Sequence, residues 1–438
     1  MKRISLNMHK NDERINIVIM YAILLSMLVS FRDLAGLAIS KSIITIFCSL
    51  FMVFSSKEQL IYIIVFTIPF LSGLPGTYIM LIALLLYLIK QKNINVLATT
   101  VFFCLILLEL FSLMFVDNNC LINSIQYLVF IGHLLYLSTE NDKNIDNTLC
   151  LRFFNTAIII VCSLITVMAM KTAPDNWKVL FSNGWFRVGD TQMEEATGMV
   201  LALNANSMAY FCIVGIADAL LLLNKSKGRF RAIYLLEIVA FIGFAIMTNS
   251  RSFIVVLLLV LVLYSLSQST SLKSIILTVI AFLICGLIVW NFLGNNQFLI
   301  EGILGRLNDS TMHSAGGRTS LFIEYLTLWS SNIRTVFFGA GVSGYSEVFQ
   351  LKGSIHNGTM QILICTGCFG AAMLYLMIVR PIYRAKVLKV RLQYYLPIIS
   401  VIAFTQTIQF LNPCFLMLPY IIGVYALKEG ENEKCHIL

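Results

Sequence analysis

The chain has 438 residues, 58% hydrophobic and 12% charged, with a mean hydropathy of +0.85. These values exclude a soluble globular enzyme and point to a polytopic membrane protein. The net charge of +9 reads as an orientation signal and not as a nucleic-acid footprint, because cations gather in short loops between apolar runs.

A span needs about 20 mostly apolar residues. Backbone groups inside lipid must be satisfied within the segment, so such runs are helices. They fall near 15–32, 37–55, 59–73, 76–90, 96–116, 120–138, 151–171, 198–223, 232–248, 252–267, 272–292, 358–379, 394–410 and 413–428. The expectation is an all-α polytopic protein of about 12–14 spans. Basic residues precede the first run without a small-residue cleavage site, so it reads as an uncleaved span. Cations in loops such as 224–231 and 380–391 then place both termini in the cytoplasm.

This reading divides the chain into N-terminal spans (1–170), a first outer loop (171–197), central spans (198–292), a second outer loop (293–357), and C-terminal spans with a cytoplasmic tail (358–438). Internal repeats and low-complexity tracts are absent from the sequence. Most of the eleven cysteines lie in spans and read as soft apolar packing. Cys365 and Cys368 have metal or redox spacing, but no second ligand pair is near, so neither a metal nor a cofactor is expected.

Long loops in a compact protein are usually functional, and both outer loops face one side. The first holds Arg187, the second Arg306, Arg318 and Arg334, and His356-Asn357 closes the second. A guanidinium stays charged and forks onto phosphate oxygens, so converging arginines suit an anionic, lipid-linked substrate. For any single arginine, pairing with Asp190, Glu194, Glu195, Glu301 or Asp309 is the competing role. Arg251, in the turn Asn249-Ser250-Arg251-Ser252 between two apolar runs, needs a headgroup, water or ligand. His356 is the natural proton acceptor for a hydroxyl, with His313 as the fallback.

Gly339-Ala340-Gly341-Val342-Ser343-Gly344 matches a dinucleotide fingerprint, but without a βαβ unit it reads as a flexible turn. Trp177, Trp185, Phe186 and Tyr345 read as interfacial anchors. Glu109, Gln126, His133, Asp218 and Glu237 fall inside spans, where pairing between helices is the expectation.

Taken together, the residues resemble the bacterial O-antigen polymerase and O-antigen ligase superfamily of polytopic glycosyltransferases. Arg187 with Gly198, and Arg306 with Gly317, resemble the paired arginine–x10–glycine motifs of the polymerases' two large periplasmic loops. Leu203-Asn204-Ala205-Asn206 resembles the start of the following span, with Ala205 in place of the usual proline. Asn249-Ser250-Arg251-Ser252 resembles the family's Ser-Arg turn. Gly317-Arg318, Phe338-Gly339-Ala340-Gly341 and His356-Asn357 resemble the long loop and its closing segment. The likeness covers about residues 185–370; the first six spans match in hydropathy alone.

The resemblance implies a GT-C-like, metal-independent inner-membrane transferase that joins undecaprenyl-diphosphate-linked repeat units on the periplasmic face. In it, His356, Arg187 and Arg318 are the catalytic candidates, and Arg251, Arg306, Asn206 and Asn357 hold the pyrophosphate. It also implies membrane lipid and a chain-length-regulating protein as partners. An O-antigen ligase and a lipid-linked oligosaccharide flippase are the alternatives.

Overall fold

The computed structural model describes residues 2–435 apart from 92, 116–120, 184, 190–199, 202, 269–275, 277–297, 299–300, 302–317, 343, 346–354 and 409–413; side chains are described outside 2–14, 318–320 and 435. Among the described residues the protein is all-helical, without strands. Among these residues, eight helices are long and apolar enough to cross a membrane, so the chain is a multi-pass membrane protein.

The elements follow the apolar runs in order: α1 (Lys2–Asp33), α2 (Lys41–Phe54), α3 (Lys57–Thr67), α4 (Gly76–Lys90), α5 (Val96–Leu113), α6 (Leu121–Ser138) and α7 (Asn147–Lys171). Short α8 (Trp177–Ser182) precedes α9 (Ala205–Lys225), α10 (Arg229–Met247) and α11 (Arg251–Gln268). Then come α12 (Arg318–Ser330), α13 (Ile333–Phe338), α14 (Gly358–Val387), α15 (Leu396–Thr405) and α16 (Pro419–Cys435). Several starts are written in side chains: Ser40, Ser56, Asn95, Asp146 and Asn204 cap α2, α3, α5, α7 and α9, each satisfying an orphan N–H of the first turn.

Several boundaries differ from the sequence reading. The run at 59–73 is one α-helix that tightens into a 3₁₀ turn at Ile68–Gly73, where Pro69 enters. Among the described residues of the run read as a helix from 198, the helix begins at Ala205, where the Asn204 side chain caps it. The span expected at 272–292 lies outside the described residues except for Ile276.

α9 is the central helix. Eighteen of its residues, from Ala205 to Leu223, are buried, whereas α10 and α11 expose rows of leucine, valine and isoleucine. In water such rows would be a liability; in lipid they are the outer wall.

Polar contacts sort the bundle into two ends. At one, Arg32 pairs with Asp33 at 2.8 Å and donates to the Gly73 carbonyl, while Asp33 accepts from the backbone N–H groups of Val200 and Leu201. At the other, Lys57 lies 2.9 Å from Glu140 and 3.2 Å from Asp142, and Lys225 pairs with Glu429. The first is the Arg32 end and the second the Lys57 end.

Part of the stretch expected to be a second outer loop is folded into the bundle. Gly339 stacks on a break in α14 at Gly367, and the Ala340 N–H donates to the Ile364 carbonyl at 2.8 Å. Val342 is 2% exposed and donates its N–H to Glu109 of α5 at 3.1 Å. The glycine-rich segment is therefore a packed insert, not a flexible turn. Tyr345 is fully buried, stacked on Tyr325 with its hydroxyl accepting from Gln361, and so is not an interfacial anchor.

Candidate functional site at the Arg32 end

The first outer segment lies across the end of α10. The Val188 N–H donates to the Met247 carbonyl at 3.0 Å, and the crossing is close: a Cβ on Gly189 (φ +85°) would sit 2.4 Å from the Leu203 carbonyl oxygen. This fixes Arg187. Its Nε donates to the Thr248 carbonyl at 2.9 Å and one Nη to Asn206 Oδ1 at 3.2 Å. Ser250 donates its hydroxyl to the same Asn206 oxygen at 3.1 Å. Asn206 is thus the shared acceptor that ties the loop to the α10–α11 turn. Its carbonyl oxygen serves the protein's own arginine, which makes Asn206 a positioning residue for Arg187.

The turn itself is buried, with Thr248, Asn249 and Ser250 at 0, 5 and 4% exposure. Asn249 adopts φ +50°, held by its amide reaching toward the Phe181 carbonyl at 3.4 Å. Arg251 follows as the first residue of α11 and lines a cavity of about 270 Å³ with Val255, Leu259, Ala403 and Thr407. Gln406, beside Thr407, accepts from Thr359 at 3.0 Å and offers its backbone carbonyl to the Asn357 amide at 3.4 Å. Asn357 caps α14, its side chain accepting from the Met360 N–H at 3.0 Å, and His356 precedes it.

These contacts form a continuous line of neighbours: Arg187, Asn206, Ser250, Arg251, the α15 terminus, Asn357 and His356. Among the described residues, three that are not glycine have positive φ, and two of them, Asn249 and His356, stand on this line. Backbone strain of this kind clusters at ligand sites because the surrounding structure must hold it.

The electrostatics match an anion. The N-termini of α9, α11 and α14 all open at this end, each carrying about half a positive charge from its aligned peptide dipoles. Arg187 and Arg251 add two fixed guanidinium charges. Arg318 begins α12 in backbone terms, and its side chain lies outside the described residues, as do Arg306, His313, Gly198 and Gly317.

Sequence reasoning placed Asn204 at the start of a span without its capping role, and it missed Gln406. Asn204 caps α9 through the Asn206 N–H at 2.9 Å, a role its place before the apolar run could have revealed. Gln406, which joins α14 to α15, gives no local signal. Glu109 does pair between helices, accepting from Ser124 of α6. His133 instead bonds the Val129 carbonyl of its own helix.

A larger cavity, about 600 Å³, lies at the opposite end among Lys57, Tyr87, Lys90, Glu140 and Asp142. Its cations are already engaged: Lys57 by both carboxylates, Lys90 by the Met52, Val53 and Ser55 carbonyls. Size favours that cavity and chemistry favours the Arg32 end. For an anionic ligand, chemistry decides. No protein-family model matches the chain, and no curated protein matches it.

Proposed function

We propose that the protein is a membrane glycosyltransferase that polymerises lipid-diphosphate-linked oligosaccharides at its extracytoplasmic face, the Arg32 end. The observation carrying this reading is the fixed Arg187 guanidinium, held by Thr248 and Asn206 on one line with Arg251, Asn357 and His356. In this reading the arginines bind the diphosphate and offset charge on the departing phosphate, electrostatic catalysis of the preorganised kind. His356 takes the proton from the acceptor hydroxyl. Arg306 and Arg318 complete the clamp.

The test is reconstitution of purified protein in vesicles with lipid-linked repeat units. A ladder of longer glycans is expected from the wild type and none from Arg187→Ala. A folded Arg187→Ala variant that makes normal ladders sinks the clamp. Transfer of finished polymer to a lipid A–core acceptor, without chain growth, would identify a ligase.

A transporter of lipid-linked oligosaccharides is the second reading. It is favoured by the large polar cavity at the Lys57 end and by carboxyls buried inside the bundle, features common along transport paths. Movement of labelled lipid-linked repeat across vesicles without any glycan growth would select it.

A further inference from the structure

Where α7, α9 and α10 meet, three acceptor oxygens are buried with no donor among the described residues: both carboxyl oxygens of Asp218 and Oδ1 of Asn155. Both residues are 0% exposed. Intramembrane acids normally find a donor on a neighbouring helix, and among these helices Asp218 does not.

The surroundings are specific. Asn155 directs its amide nitrogen to the Gly215 carbonyl and to Glu237 Oε2, both at 3.4 Å. Flipping that amide would set its oxygen against two acceptors, so its orientation is dictated by its partners. Gly215 and Asp218 lie three residues apart on α9, which puts them on one face. Phe241 of α10 packs on Gly215, leaving no room for a Cβ there. Glu237 is in electrostatic reach of Asp218, and Arg152, one turn before Asn155, is in reach of Glu237.

Charge decides what is missing. Arg152 balances Glu237, and an ionised Asp218 adds one negative charge that has no ion-pair partner among the described residues. A proton would neutralise Asp218 and supply a single O–H donor, which leaves at least one of the three oxygens without a partner. A divalent ion would bring one charge too many. Carboxylate, amide and backbone carbonyl oxygens are the donor set of hard cations. Among the described residues, no group of three or more His, Cys, Asp or Glu converges to suggest a transition metal.

We propose that Asp218, Asn155 and Glu237 form an intramembrane site for a small monovalent cation, sodium, between α7, α9 and α10. The inference rests on orphaned oxygens and charge balance, and it stands under either reading of the Arg32 end.

The experiment is equilibrium binding of radioactive sodium to the purified full-length protein in lipid nanodiscs, with choline as the inert cation. Saturable binding displaced by unlabelled sodium chloride is expected. Asp218→Asn should abolish it, and Asn155→Ala should weaken it by about 10-fold or more. Gel filtration and thermal melting check that each variant is folded; sodium should raise the wild-type melting temperature and leave that of Asp218→Asn unmoved. Wild-type protein without saturable binding from mildly acidic to mildly alkaline pH overturns the proposal and makes Asp218 a proton carrier. Undiminished binding in Asp218→Asn overturns the assignment of the ligands.

Discussion

One amide oxygen organises the candidate site. Asn206 accepts from both Arg187 and Ser250, so removing it disturbs two donors in a turn that is nearly dry. A buried donor left unmatched costs about 1–3 kcal/mol. Asn206→Ala should therefore lower the melting temperature and also release Arg187 from its pose. Asn206→Asp keeps the acceptor and should retain the fold, while its added negative charge beside the guanidinium weakens anion binding. Melting curves and glycan ladders on the two variants separate these effects; normal ladders from a folded Asn206→Ala variant would contradict the positioning role. Arg187→Lys should rescue Arg187→Ala only in part, because an ammonium cannot reproduce the planar fork that meets the Thr248 carbonyl and the Asn206 oxygen together. Full ladder length in the lysine variant would show that charge alone suffices.

Among the elements, the meeting of α13 with α14 shows where sequence was legible and where it was not. Hydropathy alone places α5, α6, α7, α10 and α11 correctly, because lipid demands long apolar helices whatever they pack against. The insert at 339–345 is different. Its burial depends on Glu109, more than two hundred positions away in sequence, accepting the Val342 N–H, and on the break in α14 at Gly367. Nothing local announces either contact. The candidate site divides the same way: Arg187, Asn206, Arg251, His356 and Asn357 stand out as residue types, but the Asn206–Arg187 bond and the Gln406 tie are long-range facts. The Gly339–Gly367 contact also makes a sharp prediction. A Cβ on Gly367, at φ +61°, would lie 2.4 Å from the Phe337 carbonyl carbon. Gly367→Ala should cost at least about 1–2 kcal/mol for the left-handed backbone alone, before the clash is counted. Gly243 of α10, where an added methyl would meet nothing within 4 Å, is the control: Gly243→Ala should stabilise by about 0.5–1 kcal/mol. Opposite shifts in melting temperature are expected, and matching shifts would mean that helix propensity, not the packed crossing, governs Gly367.

Across the whole molecule, the two ends are built on different electrostatic plans. The Arg32 end gathers helix N-termini and arginines, a standing attraction for anions. The Lys57 end closes its charges on one another. Lys57 bridges Glu140 and Asp142, and Tyr87 donates its hydroxyl to Glu140. Burial pushes the Glu140 carboxyl up, but the hydrogen bonds from Lys57 and Tyr87 prevail and hold it below its ordinary 4.5. For Asp142, burial likewise pushes up, and the Asn144 backbone and Lys57 hold the carboxyl below its ordinary 3.8. Both carboxyls are depressed in the folded protein, so unfolding takes up protons and acid favours it. Their contribution is fully present above about pH 4.5 and is lost as pH falls through the depressed values of the folded protein. Stability should hold flat near neutrality and then decline steeply on that acid limb. Glu140→Gln removes the better-buried carboxyl and should flatten the decline while lowering the neutral plateau, since Lys57 loses its closer partner. Melting temperatures across an acid pH series for both proteins make the comparison. Parallel acid limbs would show that the fold draws its acid sensitivity from some other carboxyl than the one gripped between Lys57 and Tyr87.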